Sequence, residues 1–426
     1  MYKNKHLLLV LSLLIFAQFA NSQNNTNSPY TRFGYGDISD NNNGEQKAMG
    51  GVSIGSRSSS SINTVNPASY SSVDSMTFMF DIGSAALLSR FKDGNGSTSK
   101  FNANLEYITM QFPLSKTMGF SAGVLPYSFS GYDFRKDSVI LNNTNTSAFD
   151  SINTTRSFIG SGGFTQVYTG LSIKLLKHLS LGVNAYYMFG NIYNYRDLSF
   201  NSMTTNTISS ANYPESTQSN YITAHNFRFR FGAQYFTSVA NKHDLTIGLI
   251  YENKTALSSK YTQMNTGVLS DTTTTNPGFQ LPTIYGVGIN YCYNRKLTIG
   301  IDYSMQEWKN AQYFGKTDSL NNRSKLAIGI EYQPNYNGRK FSDRVRYRAG
   351  FNITDPYYNL GTSQPKNYSL TCGLGLPLYN RANNTISMLN ASIEYGKIGS
   401  SVLSEEYFKF NFNITFNEHW FMKRKL

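Results

Sequence analysis

Apolar and polar residues alternate strictly near the end of the chain, from Phe408 to Asn417. Successive side chains of a β-strand point to opposite faces, so one face here is purely apolar and the other purely polar. A helix would scatter these phenylalanines around its circumference. A soluble sandwich could bury such a face too, so one strand does not decide the fold. The same alternation recurs at 227–235, 285–291 and 344–353.

Extending this pattern predicts an all-β protein of about fourteen strands. An even number is what a single-chain bacterial barrel requires when both chain ends lie in the periplasm. The predicted strands are 76–90, 98–112, 117–133, 162–175, 179–199, 221–238, 243–257, 280–293, 296–310, 323–334, 343–354, 367–378, 385–397 and 404–420.

The predicted connections alternate between tight and long. The links at 113–116, 176–178 and 293–295 are tight, whereas 134–161, 200–220 and 257–279 are long and polar. Outer-membrane barrels have short periplasmic turns and long external loops, whereas a sandwich has no reason to sort its loops in this way. The sequence therefore predicts a transmembrane antiparallel β-barrel over 76–426.

The first residues indicate the compartment. Lys3 and Lys5 precede an apolar run from Leu7 to Ala17, which ends at the small-x-small exit Ala20-Asn21-Ser22. This layout is typical of a secretory signal peptide, and the run is too short to span a bilayer comfortably. We expect residues 1–22 to be removed, the mature chain to begin near Gln23, and the protein to reside in the outer membrane.

Composition agrees with a barrel. Aromatic and charged residues each make up 15% of the chain, and the mean hydropathy is −0.38, as expected when lipid-facing apolar residues alternate with polar lumen residues. The net charge of +13 falls to +11 once Lys3 and Lys5 are removed. Because Lys and Arg are spread singly, we expect partners among outer-membrane lipid and lipopolysaccharide phosphates, not nucleic acid.

Cys292 and Cys372 fall on opposite faces of strands that are not neighbours, so we predict two free thiols.

Residues 23–75 lack sustained alternation and are rich in Gly, Ser and Asn. They contain Met49-Gly50-Gly51 and Asn66-Pro67-Ala68. Glycine permits tight backbone packing in a confined space, and proline marks a turn or a break in regular structure. Two interpretations stay open: a floppy periplasmic tail, or a hatch (plug) folded into the barrel lumen.

These two motifs, followed by the barrel pattern, resemble the FadL family of outer-membrane long-chain fatty acid and hydrocarbon transporters, in a Bacteroidetes-type form. Members typically have a Met-Gly-Gly-like stretch, an Asn-Pro-Ala motif in an N-terminal hatch and a fourteen-stranded barrel. Further similarity lies at 119–127, 302–304 with Trp308, and 347–351.

The resemblance implies that ligand lodges inside the barrel and leaves sideways through a kink in the third strand, once the hatch has changed conformation. That strand contains Gly123 and Pro126 here. Proline cannot donate to the sheet ladder, so we predict a lateral opening at these residues. The alternative is a proline that merely lies near the end of the strand.

Two groups of arginines are predicted to face the lumen: Arg228 with Arg230, and Arg344, Arg346 and Arg348 on another strand. Guanidinium groups suit a carboxylate or phosphate headgroup. The alternative is charge balance with lumen acids, for which Asp302, Glu331 and Glu394 are candidates, because polar interiors are normal in barrels.

No spacing in the sequence indicates a Ser-His-acid set, a phosphate loop or a metal-ligand cluster. We therefore expect no enzyme activity, no cofactor and no metal. The leading hypothesis is a monomeric transporter of hydrophobic or amphipathic small molecules. One alternative is a FadL/PorV-like barrel that binds exported proteins, as PorV-related shuttles do in type IX secretion. Another is an open porin, against which a plug would argue.

Overall fold

The computed structural model describes residues 26–94, 96–142, 150–202, 214–240, 242–336, 338–360, 364–380, 385–399 and 403–419. The expected signal peptide, residues 1–22, lies outside them. The strands are β1 (Asp37–Ile38), β2 (Thr77–Lys92), β3 (Ser97–Pro113), β4 (Met118–Asn142), β5 (Asp150–Leu176), β6 (Leu179–Ser202), β7 (Ser216–Val239), β8 (His243–Glu252), β9 (Thr255–Thr266), β10 (Asp271–Thr275), β11 (Phe279–Leu281), β12 (Ile284–Tyr293), β13 (Leu297–Gln306), β14 (Arg323–Tyr332), β15 (Arg346–Asp355), β16 (Lys366–Asn380), β17 (Thr385–Gly399) and β18 (Ser404–His419).

Helical turns are short. They are the α-helices α1 (Gly44–Ala48) and α2 (Phe341–Arg344) and the 3-10 turns Pro29–Arg32, Pro67–Ser72 and Trp308–Asn310. No helix among the described residues is long and apolar enough to cross a membrane.

The strands close into a fourteen-stranded antiparallel barrel, as predicted. Closure is made by β18 and β2, which pair from Thr77–His419 to Lys92–Ser404. Of the eighteen strands in the sheet, β1 belongs to the N-terminal segment. Strands β8 and β9 together form one span, because both pair with β7. Strands β10, β11 and β12 likewise form one span, because they pair with β9 and β8.

The alternation predicted for the last strand is confirmed. Phe408, Phe412 and Phe416 are exposed on the outer face, whereas Asn411 and Asn413 are buried inside. Exposed tyrosines mark the ends of the apolar outer surface, as Tyr285 and Tyr293 do on β12. These two lie eight residues apart, or roughly 26 Å along a strand. Because barrel strands are tilted by about 35–45°, this corresponds to a height of roughly 20 Å, somewhat less than the usual apolar band of about 25 Å between two aromatic girdles.

The predicted long loops are in large part strands, which corrects the sequence-based assignment. The ladder between β4 and β5 continues through Phe134–Phe158 to Asn142–Asp150, and β9 and β10 form a hairpin within 257–279. Polar residues continue the ladder here because both faces of a hairpin beyond the apolar band meet water. Period-two hydrophobicity therefore stops before the strand does.

Loop length is sorted less regularly than predicted. The turns at 114–117, 177–178 and 294–296 are tight and lie at the end that holds Thr77 and His419. However, the link at 93–96 at the opposite end is also short, and the link at 333–345 at the tight-turn end is long and contains α2.

Cys292 and Cys372 are both free thiols, as predicted, and Cys372 is exposed.

The described N-terminal segment, residues 26–76, is mostly buried. Its strand β1 pairs with β4, Asp37 opposite Phe129 and Ile38 opposite Ser128. Its aromatic residues Tyr30 and Tyr35 join a buried aromatic cluster with Phe279, Trp308 and Tyr357 near the hairpin end of the barrel. These residues therefore pack against the barrel, and the interpretation of residues 23–75 as a hatch stays a prediction.

Candidate functional site inside the barrel

Seven neighbouring strands each place at least one glycine against the N-terminal segment. A Cβ added at any of these glycines would overlap an atom of residues 49–67. Glycine thus lets the backbone of the segment lie directly on the sheet. We call this set the glycine belt: Gly182 (β6), Gly232 (β7), Gly248 (β8), Gly288 (β12), Gly300 (β13), Gly329 (β14) and Gly350 (β15).

The predicted motif Met49-Gly50-Gly51 forms a turn on this belt. Gly50 and Gly51 have φ of +69° and +93°, the left-handed region that favours glycine. The Gly50 backbone N donates to Thr371 Oγ1 at 2.9 Å, and Asn352 Nδ2 donates to the Gly50 carbonyl at 3.1 Å. Both groups on the turn are therefore satisfied by the barrel wall.

The second motif, Asn66-Pro67-Ala68, starts a 3-10 turn. Asn66 Oδ1 accepts from the Ala68 backbone N at 3.1 Å, and Asn66 Nδ2 donates to the Ile54 carbonyl at 2.8 Å. Asn66 and Ala68 are fully buried. Asn66 therefore joins the two halves of the segment, and Pro67 lies over Gly182 and Gly232.

Asp302 on β13 holds the segment between these motifs. Its Oδ2 accepts from the backbone N of Ser53 and of Ile54, each at 2.6 Å. The sequence-based alternative gave Asp302 a role in balancing lumen arginines, and that assignment is wrong. Charge-assisted bonds to backbone N–H groups are among the stronger hydrogen bonds in proteins, so Asp302 acts as an anchor for the segment.

Gly123 and Pro126 lie where one ladder of the wall ends. The strands β3 and β4 pair only from Pro113–Gly119 to Ile108–Val124. Beyond Val124, β4 keeps its pairing with β5, with a register shift between Pro126 and Ser128. We call the unpaired stretch between β3 and the outer part of β4 the gap; Leu105, on the β3 side, is 62% exposed.

A cavity of about 210 Å³ lies inside the barrel, and Pro126 and Phe129 of β4 are part of its lining. Its walls are charged. Glu106 binds both Lys47 and Lys409, the latter at 2.7 Å, and Asp40 binds Arg323 and Lys325. Burial alone would raise the pKa of Asp40, but these two cations outweigh it and hold the pKa below its usual range. We call this space the polar cavity.

Arg228 and Arg230 share one carboxylate. Arg228 binds Glu252, and Arg230 Nε lies 3.0 Å from Glu252 Oε2. The Arg228 guanidinium also donates to Gln166 Oε1 at 2.5 Å and lies 4.3 Å from the centre of the Tyr186 ring. Glu252 was not among the predicted counter-charges, because it lies on a different strand, 22 residues beyond Arg230.

The other three arginines do not form one ladder. Arg344 lies in α2, before β15 begins at Arg346, which corrects its placement on the strand. Arg348 Nε lies 2.6 Å from Glu331 Oε2, and Glu45 of the N-terminal segment forms ion pairs with both Arg346 and Arg348. Arg344 and Arg346 line a second cavity at the tight-turn end. A ligand role for these arginines stays a prediction.

The sequence-based interpretation missed the glycine belt, Glu45 and Glu252. A signal for the belt was available, since four strands repeat an apolar-Gly-apolar-x-Tyr pattern with glycine on the inward parity. These stretches are 247–251, 287–291, 299–303 and 328–332. No comparable local signal marks Glu45, because its partners lie some 300 residues away.

Comparisons with known proteins place the fold. A sequence profile of the BamG family matches residues 1–426. A FadL homologue of Pseudomonas aeruginosa is similar in structure, with a TM-score of 0.58, 14% identity and coverage of 90% of this chain and 99% of that one. The Pseudomonas putida toluene transporter TodX gives a TM-score of 0.57, 14% identity and coverage of 90% and 99%. The monoaromatic hydrocarbon channel CymD gives 0.55, 12%, 91% and 99%. The comparison with curated proteins found no match.

Proposed function

This chain belongs to the BamG family, and we propose that it is an outer-membrane barrel that passes amphipathic small molecules between its interior and the bilayer through the gap. The apolar outer band and the FadL-like fold support the location and the transport role. The single observation that carries the route is the end of the β3–β4 ladder at Ile108–Val124, beside a cavity lined by Pro126.

The polar cavity supports an amphipathic solute over a plain hydrocarbon. Its lining includes the carboxylates of Asp40 and Glu106 and the cations Lys47, Arg323 and Lys409. A polar headgroup can exchange hydrogen bonds with such walls, whereas an apolar body gains by lying in the gap, where hydrocarbon is adjacent. An oily solute without a headgroup would gain little from this cavity.

We further propose that residues 23–75 act as the gate. In support, β1 of the segment pairs with β4 at Ser128 and Phe129, immediately beyond the register shift at Pro126. A shift of the segment would therefore move the part of β4 that borders the gap. The motifs Met49–Gly51 and Asn66–Ala68 would serve as the fixed points of this gate, and the signal peptide would be removed before assembly.

The route is tested by blocking the gap. In a variant without Cys292 and Cys372, Pro126→Cys is modified with a bulky maleimide, and uptake of a fluorescent lysophospholipid is measured in cells. Modification should abolish most of the uptake, whereas the same label on Ala349→Cys, an exposed position of the closed wall, should leave it unchanged. Equal uptake in both labelled variants would reject the route.

The alternative, binding of exported proteins, has one feature in its favour. The hairpins of β4 with β5 and of β9 with β10 extend the ladder beyond the apolar band and offer edges outside the membrane. Shortening the β9–β10 hairpin separates the two functions. Loss of co-purifying secreted proteins with unchanged lysophospholipid uptake would favour the binding role.

A further inference from the structure

A groove of about 610 Å³ lies on the outer surface of the barrel, away from the gap. It crosses β6, β7, β8, β12 and β13, and every side chain in its lining is apolar or a tyrosine. Two belt glycines, Gly182 and Gly232, lie in its floor. The wall is thin here because these residues carry no side chain, and Ala233 adds only a methyl group on the outer face.

The groove is aligned with the expected bilayer. Tyr251 and Tyr285, opposite each other on β8 and β12, line its outer end with Tyr303, and all three are exposed. Leu181 lies toward the other end, two residues from the start of β6. Tyrosines of this kind sit at the level of lipid headgroups, so the groove runs from that level into the apolar band.

Two lysines lie beyond the tyrosine end. Lys254 follows the end of β8 and donates to the Asn310 carbonyl at 3.5 Å, which brings it to the turn that carries Lys309. Both lysines are exposed. Two acids also lie near these lysines: Glu307, to which Asn310 Nδ2 donates, and Asp318, whose backbone N donates to the Lys309 carbonyl.

We propose that this groove holds an acyl chain of a phosphate-bearing lipid of the outer leaflet, with the phosphate at Lys254 and Lys309. The chain would fill the space above Ala233 and contact Phe231, Leu249 and Val287, while the tyrosine hydroxyls meet the glycerol or sugar region. The assignment rests on the proposed placement of the barrel in the outer membrane and is independent of the gap.

Native mass spectrometry of the detergent-purified barrel tests this. Phosphatidylglycerol is added to the delipidated protein, and the ratio of lipid-bound to free protein is measured. The wild type should retain one molecule. Ala233→Trp should lower the ratio about tenfold or more, because it fills the groove and removes the burial of several methylene groups. Ala349→Trp, on another part of the outer wall, should leave the ratio unchanged.

Charge is tested by Lys254→Glu with Lys309→Glu, which should weaken retention of phosphatidylglycerol but not of diacylglycerol. If Ala233→Trp does not assemble, as judged by heat-modified mobility on a gel, Ala233→Leu replaces it. Equal loss from both tryptophan variants would show general lipid contact only, and a dimer that disappears in Ala233→Trp would assign the groove to a second copy. Either result would overturn the proposal. Failure of the Pro126→Cys experiment would leave these outcomes unaffected.

Discussion

The two sides of the barrel treat the N-terminal segment differently. From β6 round to β15 every strand of the wall is paired on both sides, and the glycine belt holds the segment backbone against the sheet. On the other side, β3 and β4 separate after Ile108–Val124, and charged side chains surround the polar cavity. Close backbone packing holds the segment in place on the side of the glycine belt. On the side of the gap and the polar cavity, the segment and the wall have room to change their positions.

The largest expected effect is on the belt. In Gly350→Leu the new side chain would overlap the backbone of Met49 and Gly50, and we expect a loss of about 3–5 kcal/mol in the free energy of unfolding. Urea titration in vesicles measures it. Gly399→Leu is the control, because nothing lies within 4 Å of its Cβ; a similar loss there would show that the belt has no special role.

The second largest effect is expected from a charge on the outer face, placed at the same height on closed sheet and beside the gap. Phe412 and Leu105 both flank Ser84, at adjacent positions around the wall. Phe412→Arg lies on closed sheet, is 52% exposed, and should cost about 2–4 kcal/mol. Leu105→Arg should cost clearly less, because the charged group can reach past the free edge of β3 toward polar surroundings. The same unfolding assay compares them, and equal costs would mean that the gap is sealed.

The smallest expected effect is on the anchor of the segment. Asp302→Asn removes the charge that accepts from Ser53 and Ile54 and should weaken the segment by about 1–3 kcal/mol. We expect faster trypsin cleavage at Arg57 in the folded barrel, followed by mass spectrometry. Asp318→Asn, in an exposed turn, should leave the rate as in the wild type. An unchanged rate in Asp302→Asn would remove its role as an anchor.

Particular residues show where prediction from sequence worked. Each of the fourteen predicted strands corresponds to a span, because alternation needs only the two faces of the wall, lipid and lumen. The hairpin parts of β4, β5, β9 and β10 were missed, since polar strands in water carry no such alternation. The two N-terminal motifs were found, yet their contacts with Thr371 and Ile54 were not, because sequence spacing does not specify which wall residue a turn will meet.

The sequence alone determined the class of protein, because the strands of the wall alternate apolar and polar residues and a glycine-rich segment precedes them. Only the tertiary structure decided which charges are neutralised, as Glu45 and Glu252 do for arginines on other elements, and where the wall stays unpaired. The local pattern of a strand reflects only whether each of its faces meets lipid or the lumen. Which charged residues become neighbours depends on how the barrel closes, because closure brings residues from distant strands to the same height in the lumen.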